Sequence, residues 1–170
     1  QLYDLTALQV DCNKKYGYSA DKTLRTMQSL YEKKVATYPR VDTRFLTHDI
    51  YDECPKILRR LKNYSDVVAP LEGEPLPKSK RVFDDSKVTD HHAIIPTGET
   101  NSNLSDDEKR VYSLICNRFI AVFYPPCVYA QTVVTATAGS EAFKTTGKTI
   151  IDSGWKQVYG CVDDDEETTL

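Results

Sequence analysis

The sequence is short of several features that would each narrow its role. It has no run approaching the roughly 18 apolar residues of a membrane-spanning helix, and the first residues show neither a basic stretch leading into an apolar one nor a small-residue cleavage motif. Membrane insertion and export are therefore not expected, and a cytoplasmic location is. The five cysteines, Cys12, Cys54, Cys116, Cys127 and Cys161, are odd in number, far apart and without a C-x-x-C pair. That pattern argues against both a disulfide framework and a zinc site and fits a reducing compartment, where such residues act as small apolar side chains. There is also no excess of positive charge, the formal net charge being -3. The distribution says more than the sum. Residues 1–62 hold twelve Lys and Arg against eight Asp and Glu, a local +4, whereas the acidic surplus gathers later and ends in Asp163, Asp164, Asp165, Glu166 and Glu167. A phosphate-binding surface is thus expected in the first part, although a modest excess of this size also occurs on plain solvated helix faces.

At 170 residues and 40% hydrophobic composition, the chain can form one domain, or one small domain and part of another. Thr6 and Gln9 form a capping-box pattern, and Leu5, Leu8 and Cys12 follow helical spacing up to Tyr16 and Gly17, where glycine can take the left-handed stop conformation. Ser19 caps a second helix with an apolar stripe of Ala20, Leu24, Met27, Leu30 and Tyr31. Together these make a helix-turn-helix-like pair. The next segment, Val35 to Tyr38, is β-prone, and Pro39 holds Tyr38 in extended backbone, so Tyr38 belongs to a connection. Thr47 begins a further helix through Ile50, Tyr51 and Cys54, which Pro55 divides before Ile57, Leu58 and Leu61 resume the pattern. Residues 70–89 have prolines, scattered charge and no periodicity, and read as an exposed loop.

Ser105 and Glu108 form a second capping box, ahead of a helix carrying Val111, Leu114, Ile115, Arg118, Phe119 and Val122 and ending before Pro125-Pro126. From Tyr129 the period changes to two. Residues 133–137 and 142–145 read as a hairpin around Ala138-Gly139-Ser140, with Thr149-Ile150-Ile151 as a third strand. The expected class is α+β: a mainly helical domain at 1–126, short antiparallel strands at 127–160, and an acidic tail at 161–170.

Three segments carry a resemblance. Thr37-Tyr38-Pro39-Arg40-Val41-Asp42-Thr43-Arg44 closely resembles the active-site segment of type IA DNA topoisomerases, of the topoisomerase III kind. Asp90-His91-His92-Ala93-Ile94-Ile95-Pro96-Thr97 is similar to the family's H-x-A-I-x-P element, and Leu2 to Gln9 to its D-L-x-x-L-Q lead-in, in matching order and spacing. Val41 departs from the family's usual Thr or Ser, which removes one hydroxyl. The resemblance implies a winged-helix or catabolite-activator-like tyrosine domain, followed by C-terminal strands of the family's arch domain.

It further implies that Tyr38 attacks a phosphodiester of single-stranded or underwound DNA, giving a 5′-phosphotyrosyl intermediate that reseals without ATP after strand passage. Mg²⁺ would be held by a separate toprim domain, so this chain alone is expected to be inactive. The residue types suit that chemistry. A phenol with an ordinary pKa near 10 is a poor nucleophile at neutral pH unless its developing charge is stabilised. In extended backbone Arg40, two residues on, projects from the same face and can clamp a phosphate. His91 can hydrogen-bond the phosphate or an acidic partner, Asp42 can support Arg40, and Lys33, Lys34 and Arg44 are the expected contacts to the DNA backbone. Two other classes use similar residues. Tyrosine recombinases combine Tyr, Arg and His, but their tyrosine comes last whereas Tyr38 comes first; a non-catalytic binding module would explain the local +4 without needing Tyr38 at all.

Overall fold

The computed structural model describes residues 1–160, which leaves Cys161 and the acidic run outside the described residues. The chain divides into two compact units, Gln1–Phe123 and a second beginning at Tyr124. The sequence pattern put the division three residues later.

The first unit is helical. Helix α1 spans Leu5–Tyr16 and stops at Gly17, whose φ of 68° is the left-handed conformation that a side chain would disfavour. Its cap differs from the expected one. Asp4, in extended backbone, accepts from the Ala7 N–H at 2.6 Å, so Thr6 already lies inside the helix; Gln9 instead donates to the Ala20 carbonyl across the turn. Either residue can cap, and Asp4 does so because it is also held from outside by Arg44. Helix α2 (Ala20–Glu32) starts on Ser19 as expected. Its buried face is Thr23, Thr26, Met27 and Leu30, while Ala20 and Tyr31 of the expected stripe are exposed. The threonine hydroxyls make burial possible by donating to the Ser19 and Lys22 carbonyls four residues back.

A 3-10 turn at His48–Glu53 leads into α3 (Cys54–Arg60), with Pro55 in its first turn. The proline starts the α-helix, where its missing N–H costs nothing, so the expected two-part helix forms with the join at Cys54. The short helix α4 covers Ser65–Val68. The 70–89 segment is more firmly held than its composition suggested. Leu76, Val82 and Phe83 are buried, and Leu46 donates to the Val82 carbonyl at 2.7 Å. Phe83 packs with Tyr51 and Phe123 at ring separations of 5.3 and 6.5 Å. Single apolar side chains anchor a loop without any periodicity to reveal them.

Helix α5 (Asp106–Ala121) has the full reciprocal capping box of Ser105 and Glu108 and buries Val111, Leu114, Ile115 and Phe119. It packs on α2, which packs on α1. Their facing side chains, with Tyr3, Val35, Ala36 and Ile94 from the connecting segments, form one core.

The second unit contains an antiparallel pair, β1 (Val128–Ala138) and β2 (Glu141–Asp152), joined through Gly139-Ser140. The expected third strand is the far half of β2. Gly147 pairs with Thr132 in the ladder without turning the chain, so the break read there does not occur. Every residue of both strands is exposed. A 3-10 turn at Gly154–Tyr159 follows; Trp155 donates to the Pro125 carbonyl at 3.0 Å, and a Cβ at Gly154 would lie 2.4 Å from that oxygen.

Candidate active site

The chain leaves α2 through a compact stop. The Val35 N–H donates to the Leu30 carbonyl at 3.1 Å and that of Lys34 to Tyr31 at 2.9 Å, with Lys34 at φ 62°. This paired closure normally uses glycine at the left-handed position. It turns residues 35–38 sharply off the helix axis into extended backbone.

There the chain meets the other two motif segments. Ala36 forms an antiparallel bridge with Pro96, and Tyr3 with Ile94. The Thr37 N–H donates to the Ile95 carbonyl at 3.0 Å, while the Thr37 hydroxyl accepts from the Ile95 N–H at 3.0 Å. Thr97 donates to the Val35 carbonyl, Leu5 to Val41, and Ala93 to Phe45, at 3.0, 3.1 and 2.9 Å. The three segments, separated in sequence by tens of residues, thus form a single hydrogen-bonded lattice with Tyr38 and His91 on its rim.

Tyr38 is half-buried against the core, and its ring stacks on His91 with centroids 4.2 Å apart and planes 28° from parallel. Tyr31 meets the same ring edge-to-face at 5.5 Å. Arg40 is exposed and makes no hydrogen bond or ion pair among the described residues. Arg40, Asp42, Asp90 and His91, together with Leu5 and Thr6 at the start of α1, line a shallow cleft of about 430 Å³. Tyr38 is not a wall of the cleft and borders it through the His91 ring. His92 faces elsewhere, its Nδ1 lying 2.8 Å from the Ala93 carbonyl oxygen.

The remaining residues singled out from sequence divide. Lys34 is exposed. Lys33 is instead held within the fold: its ammonium donates to the Asn103 carbonyl at 2.7 Å and to Glu108, itself only 6% exposed, at 2.8 Å. Arg44 donates from Nε to the buried Asp4 at 2.8 Å. Both charges are already paired, so neither is an open phosphate contact as it stands. Sequence reading passed over Asp4, which caps α1 and anchors Arg44 at once, and Tyr31, which looked like one more core position. For Asp4 a usable signal existed: an Asp immediately before the first helical leucine. For Tyr31 there was none.

Burial pushes the Cys54 and Cys116 thiols up to about 12 and that of Cys12 to about 11, so these behave as the small apolar side chains expected. Among the described residues no group of three or more His, Cys, Asp or Glu side chains could hold a metal ion.

Comparison with known proteins shows the family. The family model for DNA topoisomerase matches residues 1–170, and the chain belongs to that family, in its type IA, topoisomerase III-like branch. Its relatives include DNA topoisomerase 3 of Bacillus thuringiensis (strain Al Hakam), 45% identical over 173 residues covering 99% of this chain and 24% of that protein. DNA topoisomerase 3 of Bacillus subtilis (strain 168) is 44% identical over 171 residues, covering 98% and 24%. Among solved structures, full-length topoisomerase I from Thermotoga maritima matches with a TM-score of 0.69 at 25% identity, over 100% of this chain and 28% of that one. The chain therefore spans about a quarter of the length of the relatives it matches.

Proposed function

We propose that the protein carrying this chain cleaves and reseals single-stranded DNA through Tyr38, forming a 5′-phosphotyrosyl intermediate and leaving a 3′ hydroxyl. The observation that supports this best is the Tyr38 ring seated on His91, which walls a cleft also lined by the unpaired guanidinium of Arg40. Attack by the phenol oxygen forms the P–O bond to tyrosine as the bond to the 3′ oxygen breaks; the phenol gives up its proton to solvent and the departing oxygen takes one from solvent, so the exchange is proton-neutral. Arg40 neutralises the charge that builds on the non-bridging phosphate oxygens. His91 holds the ring and hydrogen-bonds the phosphate, and Asp42 lines the same cleft as Arg40. Resealing is the reverse displacement, and the retained bond energy makes ATP unnecessary.

Of the contacts to the DNA backbone expected from sequence, Lys34 is the one with an unpaired ammonium; Arg44 and Lys33 support the site by fixing α1 and α5. Mg²⁺, which the family resemblance implies, would be bound by a toprim domain in the full-length protein and would serve to organise phosphate charge. The uncovered β1–β2 ribbon fits the C-terminal part of an arch whose other strands lie elsewhere in the full-length chain, and the helical unit fits the family's winged-helix-like tyrosine domain. On this reading the 170 residues alone are inactive.

The test uses the full-length protein, wild type and Tyr38→Phe, incubated with Mg²⁺ and a 3′-labelled single-stranded oligonucleotide and then denatured. Labelled protein from the wild type alone is the expected result, and it establishes nucleophile and polarity together. Oligonucleotide binding without an adduct in the wild type would mark a binding module instead.

A further inference from the structure

Tyr31 is a solvent-facing aromatic residue that no argument from the motif segments requires. It lies in the last turn of α2, is 43% exposed, and its hydroxyl has no hydrogen-bond partner among the described residues, yet its ring is set edge-to-face against that of Tyr38, 5.5 Å away and 85° from parallel. Tyr38 therefore has two aromatic neighbours: His91 stacked on its face and Tyr31 meeting it edge-to-face. Below the ring, the backbone is held at Thr37 by the Ile95 and Ala93 hydrogen bonds and at Pro39 by burial. The freedom left to Tyr38 is rotation about its own side-chain bonds.

That freedom matters for a nucleophile. In extended backbone more than one χ1 well is open to a tyrosine, and a change of well swings the phenol oxygen by several ångströms. His91 is itself exposed, on a loop, and walls only one face. Tyr31 projects from the last turn of a helix whose end is closed by the Leu30–Val35 and Tyr31–Lys34 hydrogen bonds, so it is the more rigidly mounted of the two neighbours. We infer that Tyr31 is a positioning residue: its ring, and not its hydroxyl, confines Tyr38 to the rotamer in which it stacks on His91 beside the cleft. The inference rests on reading Tyr38 as the nucleophile, and it adds a residue that does not touch the reacting atoms.

The experiment compares Tyr31→Ala, Tyr31→Phe and wild type in the full-length protein. Single-turnover cleavage is measured at saturating single-stranded oligonucleotide, with affinity and melting temperature measured separately. Tyr31→Ala should cleave roughly three- to ten-fold more slowly, the scale of losing one aromatic pair, with affinity changed less than about two-fold; Tyr31→Phe should recover the wild-type rate. A wild-type rate in Tyr31→Ala overturns the inference. So does a Tyr31→Phe protein as slow as Tyr31→Ala, because the hydroxyl would then be the active part. A loss confined to affinity also overturns it, in favour of a base-stacking surface. Fluorine resonance of 3-fluorotyrosine-labelled protein, with the Tyr38 signal assigned by its loss in Tyr38→Phe, gives a readout independent of activity. That signal should move and broaden in Tyr31→Ala and return in Tyr31→Phe. If the wild type forms no adduct but the signal moves in this way, the positioning stands and the nucleophile assignment fails; if the signal does not move, the positioning fails whatever the cleavage assay gives.

Discussion

Lys34 carries a conformation that its side chain resists. A left-handed backbone at a non-glycine residue costs about 1–2 kcal/mol, and here it is imposed by the paired closure of α2 and by the Thr97 hydroxyl, which donates to the Lys34 carbonyl at 2.5 Å. Glycine at this position removes the steric cost but adds about 0.5–1 kcal/mol of unfolded-chain entropy. Lys34→Gly is therefore expected to raise unfolding stability by up to about 1 kcal/mol, read from denaturant midpoints at unchanged slope. The same variant removes an exposed charge. If Lys34 meets a phosphate, the salt dependence of oligonucleotide binding should lose about one unit of slope. A variant that is both less stable and unchanged in salt dependence would contradict both assignments. Arg44 and Lys33 differ from Lys34 in kind, since each already neutralises a carboxylate that is mostly buried.

Among the elements, α5 is the best specified from sequence, and its N-terminus does two jobs. Glu108 closes the capping box on the Ser105 N–H at 2.8 Å and simultaneously receives Lys33 and Ser29 from the end of α2. Burial works to raise its pKa, but the hydrogen bonds from Lys33, Ser29 and the Ser105 backbone together outweigh that and hold the carboxyl below the ordinary 4.5. A depressed folded value means that the stabilisation is fully present above 4.5 and is lost as pH falls through the folded value. Glu108→Gln should cost about 1–3 kcal/mol at neutral pH, since it leaves the Lys33 charge without its counter-ion. The gap to wild type should narrow as the solution is acidified and the wild-type carboxyl protonates. Denaturant curves at neutral and acid pH test the sign; a gap that widens on acidification would mean that Glu108 is neutral in the fold.

Across the whole molecule the contrast lies between a helical unit with a continuous core and a ribbon with none. Phe143 and Ile151 are 61% and 69% exposed on β2, Phe143 within the regular ladder and Ile151 at its bulge. An uncovered apolar ribbon with free edges pairs with whatever strand is available. The 170-residue chain alone should self-associate through it, and Phe143→Lys with Ile151→Lys should shift sedimentation toward monomer while leaving the helical signal intact. Unchanged association would locate the contact elsewhere. What the sequence determined by itself is local. Gly17, Ser19, and the Ser105 and Glu108 box each act within a few residues, so their helix ends could be read directly, and the Tyr38 segment was distinctive enough to mark the family. Where two local solutions competed, as between Asp4 and Thr6 for the cap of α1, a distant partner decided, because Arg44 lies 40 residues from the Asp4 it holds. The same reason explains the site. The bridges from Tyr3 to Ile94 and from Ala36 to Pro96, the His91 and Tyr31 rings around Tyr38, and the pairing that engages Lys33 depend on backbone and side-chain packing between distant segments. No pattern confined to one segment encodes such a meeting; only the folded core, by bringing the three segments into one lattice, sets it.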